Sequence, residues 1–103
     1  MTNKYFLQNK ANEFVKSVLQ NTTLNEIMHE FTFLGYSVLF KGDYFVNHFG
    51  NGITFLVKVS NKNVYLSFNR ENVLNNSKLP REIANQMQKS AIEAILSISH
   101  END

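Results

Sequence analysis

The apolar residues of this chain change their spacing twice, and that change limits what it can fold into. Near the N-terminus, Leu7, Ala11, Phe14, Val15 and Val18 recur every third or fourth position, with Lys10, Glu13, Lys16 and Gln20 off the stripe. Between Tyr36 and Phe68 apolar and polar residues alternate instead. Toward the C-terminus, Ile83, Met87, Ala91, Ala94, Ile95 and Ile98 return to the wider spacing. Side chains repeat every ~3.6 residues around a helix and every second residue along a strand, so one kind of element cannot satisfy both patterns. The order predicts an α+β fold with helices packed on an antiparallel sheet.

Helix one is expected from Asn3 to Gln20, and Asn21-Thr22 breaks it. A second helix is expected next: Thr23-Leu24-Asn25-Glu26 has the form of a capping box, Leu24, Ile27, Met28, Phe31 and Leu34 supply an apolar face, and Gly35 stands where a left-handed residue would end it. The alternating region reads as four strands. Tyr36 to Lys41 is followed by a turn at Gly42-Asp43, and Tyr44 to Phe49 by a turn at Gly50-Asn51-Gly52. Ile53 to Ser60 and Asn63 to Phe68 are joined at Asn61-Lys62. Short turns between such strands predict a meander. Asn69 to Leu79 is polar, with a short turn at Val73-Leu74. Ser77 is the expected cap of the last helix, Pro80 falls in its first turn, and His100 to Asp103 forms a tail. The expected order is two N-terminal helices, a four-stranded antiparallel meander and one C-terminal helix (ααββββα), in a single domain over residues 1–103.

Composition supports a packed core and removes several chemistries. With 103 residues, 43% of them hydrophobic, and nine Phe and four Tyr, the chain can fill a core without staples. It has no Cys, which excludes disulfides, Fe–S clusters and thiol nucleophiles. The net charge of +1 is small for a nucleic-acid binder, whose affinity comes mainly from neutralising phosphates. Met1 to Lys10 has no apolar core of a signal peptide, and no run reaches membrane-spanning length, so a cytoplasmic protein with no membrane partner is expected. Phe, Tyr, Met, Ile, Asn and Lys together outnumber Gly, Ala, Arg and Pro by 45 to 11, the signature of an AT-rich gene such as those of low-GC bacteria and their mobile elements.

No catalytic constellation is legible. His29, His48 and His100 fall on separate elements without metal-ligand spacing. Ser37, Ser60, Ser67 and Ser77 lack a nucleophile elbow, and Gly50-Asn51-Gly52 joins strands where a phosphate cradle would open a helix. Glu30, Asp43 and Lys58 follow the element order of restriction-endonuclease-like nucleases. That family's motif requires an acidic residue two before the lysine, and here Leu56 stands in its place. The chain is therefore expected not to be an enzyme and to need no metal or cofactor.

The sheet directs attention to binding. Tyr36, Val38, Phe40, Ile53, Phe55, Val57, Val64, Leu66 and Phe68 share one face. Leu39, Lys41, Thr54, Leu56, Lys58, Tyr65 and Ser67 share the other, and Tyr44 and Phe45 fall on opposite faces. The second face is too apolar for a plain solvated surface. Either helix one covers it, or Phe45, Phe49, Leu56 and Tyr65 form a partner-binding patch. In size and composition the chain resembles the small effector proteins of phages and mobile elements, anti-CRISPR inhibitors among them. That resemblance implies binding and blocking of a host protein or nucleoprotein.

A second resemblance covers Thr23 to Ile98. Leu24-Asn25-Glu26-Ile27, and Ser77-Lys78 before the last helix, look like a double-stranded RNA-binding domain, and the element order is similar to a HicA-type toxin, for whose histidine His48 is the candidate. These imply RNA or DNA binding through Lys58, Lys62, Lys78 and Arg81. The lysine cluster of the first family is reduced here to Lys78 and Arg81, with Lys89 further along. A homodimer is a third expectation.

Overall fold

A computed structural model describes residues 3–20, 26–47 and 50–101. The elements are α1 (Asn3–Gln20), β1 (Glu26–Phe33), β2 (Tyr36–Asn47), β3 (Gly50–Val59), β4 (Lys62–Asn69), α2 (Arg70–Asn75) and α3 (Leu79–Glu101). The four strands form one antiparallel sheet in the order β1-β2-β3-β4. The class is α+β, but the order is αββββαα.

The expected second helix is a strand. Residues 26–33 pair with β2 from Glu26↔Asp43 to Phe33↔Tyr36. Ile27 and Phe31 fit both spacings, because a residue four positions on lies on the same face of either element. The hairpin decides between them. Leu34 and Gly35 take φ of 53° and 83°, so both central residues of a two-residue loop are left-handed, as the twist of paired strands requires. Gly35 is thus left-handed, as anticipated for a helix end, while serving a strand turn. Glu26 of the expected capping box opens β1, and Thr23 lies outside the described residues.

Two expected strands are one. Gly42-Asp43 is no turn but the middle of the twelve-residue β2, with Gly42 paired to Ile27 and Phe55. Glycine is needed there for room: a Cβ at Gly42 would lie 2.7 Å from Val18 Cγ2 of α1. Next to it the Tyr44 hydroxyl donates to the Val18 carbonyl, one of the last-turn acceptors that a helix cannot satisfy by itself. Gly42 and Tyr44 together seat the end of α1 on the sheet. The connection between β2 and β3 is residues 48–49, outside the described residues; Gly50 (φ 116°) and Gly52 already belong to β3.

Beyond the sheet, the Asn69 side chain caps α2 by accepting from the Asn72 N–H at 3.1 Å. Asn76, not Ser77, organises the entry to α3: its carbonyl accepts from the Leu79 N–H and its Oδ1 from the Lys78 N–H. Pro80 falls in the first turn as expected. The helix continues to Glu101, so His100 is helical.

Both long helices pack on the same side of the sheet. Leu7, Ala11, Phe14, Val15 and Val18 of α1 and Ile83, Ala84, Met87, Ala91, Ala94 and Ile95 of α3 join Val38, Phe40, Ile53, Phe55, Val57 and Val59 in one buried cluster. The Phe14 ring lies 5.7 Å from Phe40 and 6.5 Å from Phe55. Burial of rings such as Phe40 and Phe55 stabilises the fold by roughly 1.5–3 kcal/mol each. At the β1 edge Phe6 of α1 stacks on Phe33 at 5.9 Å, with Lys10 over Phe6 and Phe31. The result is two layers, with no described helix on the other face.

Candidate functional site

That other face is built in rows by the strand register. One row runs Glu26, Asp43, Thr54, Ser67; the next Met28, Lys41, Leu56, Tyr65; the next Glu30, Leu39, Lys58, Asn63. At one end Phe45 pairs with Gly52, which pairs with Asn69. Along each strand these residues alternate with the core residues, so one period-two pattern places both sets.

The face is mixed. Met28 is 58% exposed, Tyr65 64% and Phe45 37%, while Leu39 and Leu56 are half-buried by their neighbours. Leu56 and Tyr65 are direct cross-strand partners, the unit through which sheet side chains support one another. Phe45 lies over Gly52: a Cβ there would come within 2.1 Å of Phe45 Cζ, so the missing side chain lets the ring rest on the strand. Polar residues alternate with the apolar ones: Lys41 stands between Met28 and Leu56, and the Glu26 to Ser67 row separates Phe45 from Leu56 and Tyr65. Lys41 pairs with Glu26 at 2.9 Å, and the Glu26 carboxylate, through the hydrogen bond first and its charge second, raises the Lys41 pKa above its usual value. The Ser37 hydroxyl donates to Glu30, and Thr54 and Ser67 share a hydrogen bond at 3.0 Å.

Three of the four expected patch residues, Phe45, Leu56 and Tyr65, thus share one face, and Phe49 lies outside the described residues. Met28 was missed. Its place in a supposed helix hid its alternation with Ile27 and His29, which was the available signal.

The basic residues are spread. Lys58 stands on the open face and Lys62 begins β4, whereas Lys78 precedes α3 and Arg81 lies in its first turn. The full length of β4, about 24 Å at strand rise, separates Lys62 from Asn69, the end that leads on toward Arg81. Arg81 instead joins Lys16, Asn12, Gln20, Ser77 and Pro80 in lining a groove of about 630 Å³ between α1 and the start of α3. Glu30 and Lys58 flank Leu39 in one row, with Asp43 two rows away beside Glu26. His29 sits on β1 and His100 near the end of α3, and His48 lies outside the described residues.

No family model matches the chain, and no curated protein or solved structure is significantly similar to it.

Proposed function

We propose that this chain is a non-catalytic binding protein that docks its open sheet face on a partner protein and blocks it. The observation that carries the reading is that α1 and α3 occupy the same side of the sheet. The other side keeps Met28, Leu39, Phe45, Leu56 and Tyr65 without a covering layer among the described residues. Large apolar side chains interspersed on one face with Glu26, Glu30, Lys41 and Lys58 have the mixed composition of an interface, with aromatic side chains as anchors and charges to match a partner's polar groups. The AT-rich composition favours a bacterial host protein or nucleoprotein as the target. Catalysis, metals and cofactors have no part in this reading.

Capture from a bacterial host extract tests it, using the wild type beside a Leu56→Asp, Tyr65→Ala variant. A partner held by the first and lost by the second, with unchanged circular dichroism, is the expected result. An identical set of captured proteins would refute the face. Retention of duplex RNA or DNA that falls steeply with salt, and that is weakened by removing Lys58, Lys62, Lys78 and Arg81, would replace the reading with nucleic-acid binding.

A further inference from the structure

The sheet has two edges, and they differ in the way that decides whether an edge can pair with another chain. Each exposes outward-pointing N–H and C=O groups, and proteins blunt such edges with charges, bulges or a covering element. The β1 edge is blunted. It carries Glu26, His29 and Glu30, and Phe6 and Lys10 of α1 lie against its Phe31 ring. Antiparallel self-pairing centred on Met28, His29 or Glu30 would set Glu26 against Glu30, His29 against His29, or Glu30 against Glu30.

The β4 edge is blunted far less: its one charge is Lys62, at the strand's first position, and no described element covers it. From Asn63 to Asn69 it contains no charged residue, no Pro and no Gly, and its pairing with β3 is unbroken from Val59↔Lys62 to Gly52↔Asn69. Its core-side row is also incompletely covered. Val64, Leu66 and Phe68 are only half-buried, while Ile53, Phe55, Val57 and Val59, their neighbours on β3, are buried.

We propose that β4 pairs antiparallel with β4 of a second copy of this chain, joining two four-stranded sheets into one of eight. A two-fold axis at Tyr65 sets Tyr65 opposite Tyr65 and Asn63 opposite Ser67 on the open face, and Val64 opposite Leu66 on the core face. Open-face positions meet open-face positions and core-side positions meet core-side ones, as an isologous contact requires, with Lys62 opposite Phe68 at the two ends of the core-side row. Aromatic cross-strand pairs are among the favourable ones in antiparallel sheets. The neighbouring register, centred on Leu66, would set Tyr65 against Ser67 and lose the aromatic pair. The second copy covers the outer side of the Val64, Leu66, Phe68 row, and the dimer presents two open faces as one continuous surface.

Sedimentation of the purified full chain tests this. The wild type is expected at twice the mass of one chain. Asn63→Lys with Ser67→Lys, which sets lysine against lysine across the axis, is expected to halve that mass with an unchanged circular dichroism spectrum. Asn63→Glu with Ser67→Lys, which sets opposite charges there, is expected to restore it. Because the chain has no cysteine of its own, Tyr65→Cys is expected to cross-link to a covalent dimer under mild oxidation and Thr54→Cys on β3 is not. Single-chain mass for the wild type at its highest soluble concentration would overturn the proposal, as would a double-lysine variant that stays dimeric. A monomeric double-lysine variant that still captures a partner protein would separate the two readings, supporting the β4 contact without bearing on the open face.

Discussion

Glycine shows how much one residue can decide here. At Gly42 the missing Cβ is what allows Val18 of α1 to approach β2, and the same position reads as a turn because Gly-Asp is a turn signal wherever no helix is known to lie above it. Val18 is β-branched and has little rotamer freedom with which to give way. Gly42→Ala is therefore expected to destabilise the protein by about 1–3 kcal/mol, the usual range for overpacking. Most of that loss should vanish in a Val18→Ala background, as urea unfolding of the four members of the cycle would show. Equal losses in both backgrounds would mean that the close approach is not the cause. Gly52 uses the same freedom on the opposite face, where the Phe45 ring takes the space.

At the scale of elements, the β1–β2 hairpin is where sequence and structure part. Apolar residues at 27, 31 and 34 satisfy a helix, and those at 27, 31 and 33 satisfy a strand. A segment of eight residues is too short for periodicity alone to separate the two. Pairing with β2 settles it, and that partner is remote information for any local reading of residues 26–33. The loop records a conflict between chemistry and geometry. Leu34, 57% exposed, holds a left-handed φ of 53° that costs a branched side chain about 1–2 kcal/mol. Leu34→Asn would create Asn-Gly, the pair that this two-residue turn prefers. It is expected to raise stability by about 1 kcal/mol, read from the midpoint of chemical denaturation. A lower midpoint would show that Leu34 contributes contacts that outweigh its backbone strain.

For the whole molecule, the decisive fact is that both long helices lie on one layer. Phe40 and Leu56 belong to neighbouring strands and opposite faces, and each is apolar. If the sheet is covered on one side only, their truncations must differ. Phe40→Ala should cost about 3–5 kcal/mol because it empties a buried site. Leu56→Ala should cost about 1 kcal/mol or less, because its site is partly open to water. Thermal melts of the two variants would check this. Similar losses would mean that the second face is covered as well. The open face also gives the functional proposal its shape, since partner binding then competes only with water for Tyr65, Met28 and Phe45.

Much of this was legible in the residues. The span of α1 was fixed by its stripe, and both face assignments followed from alternation: the core set from Tyr36 to Phe68, and the opposite set with Leu56 and Tyr65. These depend on local periods, which each stretch of chain carries by itself. The conversion of residues 26–33 into a strand, the fusion of Tyr36–Asn47 across Gly42, and the choice of side for α1 were not legible. Each depends on which distant surface a segment meets. Burying Val18 over Gly42 and Phe14 between Phe40 and Phe55 is what placed α1 beside α3, and that placement left the face with Phe45, Leu56 and Tyr65 without a helix over it among the described residues.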